Sequence, residues 1–310
     1  GGLDDYDLRV PESFLKREGG NYPVLHMPAP VRIELTSNVA SDIFFLAMDR
    51  PERARAINIS TDLAIWGSGK EPGPPINIYM RVIDKPVIRL RSVDLAEEKD
   101  VDSLEELFNF RNDNLSALKA AIVASGVVPF GFRGKDIELE EILEKLLGRK
   151  GLGIEFVTHV HAAGQAIPRG SGLAVSTMLL VAGIDAGMKF SGQSDYRDER
   201  ISERDKLIGS GRTVFGEWLG GSGGGWQDSG AQWPGIKRCE GVVAREGDNE
   251  YGISRGRLLP TYTPMGEDEV SRETLEALMD SIVLVHGGAC QDVGPVLQDV
   301  TVAYLLRLSL

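Results

Sequence analysis

The sequence predicts an α+β fold: strand-like segments crowd its first hundred residues, helical periods follow as a block, and the two then alternate irregularly rather than as repeated strand–helix units. The first 23 residues mix charge with Gly and Pro and hold no sustained period. They read as a linker or an arm reaching onto another domain. From Val24, VLHMPAPVRIEL is an extended segment broken by prolines and RARAINISTDLAIWG a strand; INIYMRVI and VIRLRSVDL are two more, divided by Asp84, Lys85 and Pro86. SLEELFNF, LSALKAAIVASGV and ELEEILEKLLGRKG step their apolar residues by three and four, and the last ends in basic residues and Gly, as helix C-termini favour. GIEFVTHVHAA alternates like a half-buried strand and runs into AIPRGSGLAVSTMLLVAGIDAGM, a Gly-rich turn opening a helix. The polar stretch SGQSDYRDERISERDKL then separates this helix from a second Gly-rich piece, and EYGISRGRL, SIVLVH and a final helix GPVLQDVTVAYLLRL complete the chain.

Charge and composition exclude several functions. A net charge of −12 and a pI near 4.9 oppose broad affinity for nucleic acid or anionic membrane, both of which need Lys/Arg clusters to neutralise phosphate. A nucleotide needs only a local cradle of backbone N–H groups and a divalent cation, which an acidic protein can supply. Cys239 and Cys290 lie far apart without metal-ligand spacing, so a reducing compartment is the simpler reading. No segment has the ~18 apolar residues that span a bilayer, and no signal-like segment opens the chain. The expected location is cytoplasmic. The Gly1–Gly2 start, without Met, reads as a piece of something longer.

PRGSGLAVSTMLL, residues 168–180, follows a predicted strand and opens a predicted helix. In that setting glycines let backbone N–H groups close around an anion, and the helix dipole adds positive potential. Such turns also occur for purely structural reasons. The segment is neither a Walker A loop nor GxGxxG. It resembles the second motif of the GHMP kinases (galacto-, homoserine, mevalonate and phosphomevalonate kinases), and within them PRGSGLGTSS of the L-fucokinase branch. Pro168, Arg169, Gly170, Ser171, Gly172 and Leu173 match residue for residue, whereas Ala174 and Val175 stand for Gly and Thr, and Thr177 for the second Ser. A methyl group thus sits where the family keeps the backbone bare. The resemblance implies ATP on residues 168–177, with the hydroxyls of Ser176 and Thr177 turned to phosphate or Mg²⁺.

The second glycine run, residues 216–237, resembles the fucokinase segment LEQLMGTGGGWQDQIGG followed by YPGIK: GGGWQD is identical and WPGIK stands at the same remove. Isolated Glu and Asp residues are mostly solvated surface groups. Here Glu217 and Asp228 keep the family's eleven-residue spacing between a metal-binding Glu and a catalytic Asp. Phosphoryl transfer needs one carboxylate to hold Mg²⁺ against the phosphates and another to orient and deprotonate the attacking hydroxyl. The resemblance therefore implies Asp228 as catalytic carboxylate and Glu217, with Ser176 or Thr177, as metal ligand. It places Gly224, Gly225 and Trp226 beside the sugar. Trp218, Trp226 and Trp233 surround the run and read as core, with sugar stacking as the other option.

APVRIELTSNVASDIFF, residues 29–45, resembles the first family motif, approximately PVRVDFSGGWSDTPP. Pro30, Val31 and Arg32 match. The resemblance sets Arg32 beside Asp228, where its charge would keep that carboxylate ionised, and Asp42 on the sugar hydroxyls. Taken without the motif, Arg32 reads first as a strand-face ion pair. Ser37 to Ala40, Phe44 and Phe45 depart from the motif, as do Gly287 and Gln291 nearer the C-terminus, so the sugar pocket differs in shape and polarity. His159 and His161 alternate on one strand face without a third ligand in range.

The sequence thus implies a GHMP-like two-domain α+β fold: residues 24–245 a larger domain for ATP and sugar, 246–310 the start of a smaller one. The family's third motif, GAGGGG, is not reached by residue 310. The implied activity is phosphoryl transfer from Mg·ATP to a sugar, foremost the anomeric hydroxyl of L-fucose. The alternatives are a kinase for a heptose or another hexose, or a degenerate domain that binds sugar or nucleotide. The resemblance also admits a nucleotidyltransferase fused in the parent protein.

Overall fold

The computed structural model describes residues 2–37, 50–168, 170–194, 201–221, 225–288 and, beyond these, 295, 299, 302, 303 and 306. Its strands are β1 (Leu25–Ala29), β2 (Val31–Ser37), β3 (Arg55–Thr61), β4 (Ile76–Ile83), β5 (Ile88–Ser92), β6 (Glu97–Val101), β7 (Gly153–Ala162), β8 (Gln165–Ala166), β9 (Ile236–Glu240) and β10 (Thr261–Pro264). Its α-helices are α1 (Glu12–Leu15), α2 (Leu104–Leu107), α3 (Ser116–Ala124), α4 (Leu139–Leu147), α5 (Val175–Phe190), α6 (Glu203–Gly220), α7 (Trp226–Ser229) and α8 (Arg272–Ser281). The fold is α+β, as the early run of strands predicts.

The chain divides into two compact units, each assembled from separate stretches: Gly1–Ala29, Pro74–Ala166 and Leu179–Gly221 in the first, Pro30–Gly73, Ile167–Met178 and Ser222–Leu310 in the second. The division does not follow residue 245, because sheet pairing rather than chain order decides which segments share a core.

The first unit is built on a sheet of order β1-β4-β7-β5-β6, with β8 added to β7. Only β5 and β7 run parallel among its described pairs. Alternation puts Ile76, Ile78, Met80 and Val82 of β4 on the same buried face as Ile154, Phe156 and Val160 of β7. The segment before β1 belongs to this unit: Tyr6 is buried and its hydroxyl donates to the Val127 carbonyl at 2.6 Å. Helix α4 stops where the sequence requires, at Gly148 in the left-handed region (φ 67°). Two elements depart from the sequence reading. Strand β6, EEKDV, is polar and pairs with β5 through a bidentate Arg89–Asp100 contact (2.6 and 3.0 Å), which holds the Asp100 carboxyl well below its usual range. Part of the polar stretch and the start of the second glycine run together form α6, an 18-residue helix capped by Ser202, whose hydroxyl accepts from the Asp205 N–H.

Glycines in this unit mark close approaches. A Cβ on Gly187 of α5 would lie 2.4 Å from Ser125 Oγ and 2.5 Å from its Cβ, and one on Gly183 would be 3.0 Å from both Ala121 and Phe156. Gly187→Ala is therefore expected to cost about 1–3 kcal/mol, read as a lower urea midpoint at unchanged slope; an unchanged midpoint would refute the close contact.

Candidate active site

The second unit is built on a four-stranded antiparallel sheet of order β10-β9-β3-β2. Its register places Arg32 opposite Ser60, Glu34 opposite Asn58, Asn58 opposite Lys237, and Cys239 opposite Tyr262. Since side chains alternate along a strand, all these residues share one face. A sheet face against a core is normally apolar; this one is charged and amide-rich, yet Arg32, Asn58 and Lys237 are buried. It is covered by residues 226–233, the helix α7 and the turn after it.

Asn58, Ser60, Lys237 and Tyr262 each bond to that covering segment. Asn58 Nδ2 donates to the Gln227 carbonyl (3.3 Å), and Ser60 Oγ lies 2.8 Å and 2.9 Å from the carbonyls of Ala231 and Trp233. Lys237 Nζ donates to Ser60 Oγ, to Trp233 O (2.7 Å) and to Gly235 O (2.9 Å). Tyr262 donates to Trp226 O at 2.6 Å and stacks on the Trp233 ring at 4.3 Å between centroids. Trp226 and Trp233 are core residues, as expected, whereas Trp218 of the first unit is exposed.

The same face brings Arg32 and Asp228 together. Arg32 Nη2 pairs with Asp228 Oδ1, and its Nη1 reaches Glu34 Oε2 at 2.8 Å. Burial raises the Asp228 pKa; Arg32 opposes that shift and the Glu34 charge adds to it. A carboxylate held this way is more basic than a surface aspartate while staying paired to a cation. Arg32 Nε, Asn58 Oδ1 and Gln227 Oε1 are buried without a hydrogen-bond partner among the described residues, which marks a polar site rather than ordinary core.

Arg32 also ties this centre to the phosphate loop, because its backbone N–H donates to the Leu173 carbonyl at 3.1 Å. Within the loop Gly170, Gly172 and Ala174 have φ of 66°, 74° and 54°. Gly170 and Gly172 adopt that conformation without penalty. Ala174 does not: its Cβ occupies the left-handed region at the position where the family motif has Gly. Pro168 and Ser176 are exposed, Ser171, Leu173 and Val175 partly so, and Thr177 is buried at the start of α5. Glu217 lies in the first unit, buried in the last turn of α6. Asp42, Arg169, Gly224 and Gln291 lie outside the described residues; Gly225 precedes α7 and accepts the Asp228 N–H at 3.4 Å. Among the described residues no three His, Cys, Asp or Glu side chains are grouped to hold a metal, and no helix is long and apolar enough to cross a membrane.

Sequence reasoning named Arg32 and Asp228 but gave no role to Asn58, Ser60, Lys237 or Tyr262. For Lys237 a signal existed in WPGIK, matched as a string. The others follow only from strand register.

With the geometry in place, the class of protein that the motifs resemble, the GHMP kinases, is supported by comparison with known sequences. Over 169 residues, 54% of the chain, it is 31% identical to an L-fucokinase/L-fucose-1-P guanylyltransferase of Bacteroides fragilis. The match spans 16% of that relative's length. No family model matches the chain. Solved structures similar to it include a D-glycero-D-manno-heptose 1-phosphate kinase from Bacteroides thetaiotaomicron (16% identity, 92% of this chain and 74% of that one, TM-score 0.45). A Lactococcus lactis galactokinase complexed with galactose is also similar (16% identity, 72% and 45% covered, TM-score 0.42).

Two outcomes are expected. Ala174→Gly relieves the left-handed strain, offset in part by unfolded-chain entropy, and raises stability by about 0.5–1 kcal/mol in urea denaturation. Lys237 gives a pH signature. Burial first, and the Arg32 charge second, bring its pKa from 10.5 to about 7, so between these values the unfolded chain holds a proton the folded chain has released. Stability from this group therefore rises with pH across that window and is smallest below pH 7. Urea midpoints measured from pH 6 to 10 should climb more steeply in the wild type than in Lys237→Met.

Proposed function

We propose that this chain carries the nucleotide-and-sugar site of an ATP-dependent sugar kinase, which moves the γ-phosphoryl group of Mg·ATP to a sugar hydroxyl, foremost the anomeric hydroxyl of L-fucose. The observation that carries the reading is the Arg32–Asp228 pair, tied through the Arg32 backbone to Leu173 of the phosphate loop. Asp228 accepts the proton of the sugar hydroxyl as its oxygen bonds to the γ-phosphorus and the bond to the leaving ADP oxygen breaks. Its raised pKa strengthens it as a base, and Arg32 keeps enough of it ionised to act. Backbone N–H groups of residues 170–177 would hold the triphosphate at the helix start. Mg²⁺ neutralises charge on the β- and γ-phosphates when bound. Hydroxyls such as those of Ser176 and Thr177 suit it, because Mg²⁺ keeps several of its waters; a carboxylate ligand from Glu217 follows the resemblance alone. Asp42, Gly224, Gly225 and Trp226 take the sugar side, following the resemblance.

The Bacteroides fragilis relative joins, by its name, a kinase to a guanylyltransferase, which supports the proposal of a nucleotidyltransferase fused in the parent protein. The altered substrate motif keeps a heptose or another hexose as candidate acceptor. A second reading, a domain that binds sugar or nucleotide without turnover, is favoured by Ala174 at φ 54°.

The deciding assay is ATP consumption by the full-length protein with Mg²⁺ across a panel of free sugars, beside Asp228→Asn. The kinase reading expects turnover on one sugar that falls about a hundredfold or more in the variant. No turnover on any sugar, with nucleotide still bound, supports the second reading.

A further inference from the structure

The polar face of the second unit carries more than its reacting pair. Lys237 is fully buried, sits on the central β9 between β3 and β10, and spends its amino group on the covering segment rather than on a carboxylate. Its amino group lies within hydrogen-bond reach of three oxygens: Ser60 Oγ, Trp233 O and Gly235 O. Ser60 carries the contact onward to the Ala231 carbonyl. The turn after α7 is thereby fastened at Ala231, Trp233 and Gly235, three to seven residues beyond Asp228. At the other end Asn58 holds the Gln227 carbonyl and Tyr262 the Trp226 carbonyl.

A buried lysine that met only structural needs would be a poor choice for this place. An apolar side chain of equal length fills the volume at less desolvation cost, and burial has already brought this amino group's pKa down to about 7. What an apolar residue cannot do is fix several carbonyls of one short turn in a set orientation. Asp228 sits in a four-residue helix, too short to hold its place by its own hydrogen bonds. Misplacement of about 1 Å at a reacting group can cost a hundredfold in rate.

We infer that Lys237, through Ser60 and the carbonyls of Trp233 and Gly235, is a positioning residue that sets the place of Asp228 against Arg32. Its role in turnover rests on the kinase reading; its role in holding residues 226–233 does not. The test uses the full-length protein as wild type, Lys237→Met and Ser60→Ala, with two readouts. Hydrogen exchange at the Asp228 and Trp233 amides, which are bonded to Gly225 O and Gly230 O, is expected to quicken at least tenfold in Lys237→Met while the amides of β3 and β4 keep their protection. In steady-state kinetics, kcat is expected to fall tenfold or more with KM for ATP and sugar within about twofold, and Ser60→Ala to fall in the same direction by less. Unchanged exchange at Asp228 and Trp233, or equal acceleration throughout the unit, overturns the inference; so does a KM rise with kcat preserved. If Lys237→Met does not fold, Ser60→Ala alone decides by the same two criteria. If the wild type turns over no sugar, the kinase reading falls and the exchange readout still decides the positioning role.

Discussion

The ion pair between Arg32 and Asp228 is the constraint on which the second unit depends. It joins β2 to the helix α7, two elements nearly two hundred residues apart in sequence, and it places a cation and a carboxylate where water is mostly excluded. A buried pair of this kind is costly to break: one partner removed leaves the other charged and unpaired, at about 3–5 kcal/mol. The surrounding face makes the arrangement tolerable. Arg32 is shared with Glu34, and Asn58, Ser60 and Tyr262 spend their polar groups on backbone carbonyls of the covering segment, as Lys237 also does. The polar character of the sheet and the irregular, tryptophan-rich cover over it are two sides of one packing solution.

That solution also explains how three sequence motifs become one site within a single unit. Strand β2 supplies Arg32, the phosphate loop offers the Leu173 carbonyl that the Arg32 N–H meets, and the second glycine run delivers Asp228. The loop itself shows where this chain departs, in physical terms, from the motif it resembles. A glycine at position 174 would take φ 54° freely, while alanine carries a side chain into that conformation. The departure is a local strain at the mouth of a helix, and the chain keeps the loop conformation despite it.

Much of the fold was legible in the sequence because the signals were local. The alternation in INIYMRVI and GIEFVTHVHAA gave β4 and β7, and the stepped leucines of ELEEILEKLLGRKG gave α4 with its glycine stop. Strand β6 was not legible, since EEKDV is held by the pairing of Asp100 with Arg89 rather than by any apolar period. Helix α6 was obscured by Gly209, Gly211 and Gly216, residues that lower helix propensity. In the site, Arg32 and Asp228 were legible through their motifs. Ser60 and Asn58 were not, because their importance comes from a cross-strand register that no window of sequence contains.

The central claim is that Arg32 and Asp228 act as one unit in phosphoryl transfer. A double-mutant cycle on kcat tests it most directly, using Arg32→Met, Asp228→Asn and the two combined in the full-length protein with Mg·ATP and whichever free sugar of the panel supports turnover. The account predicts strong non-additivity, the double variant being no slower than the slower single one within about threefold. Losses that multiply would show that the two residues act independently and would contradict it.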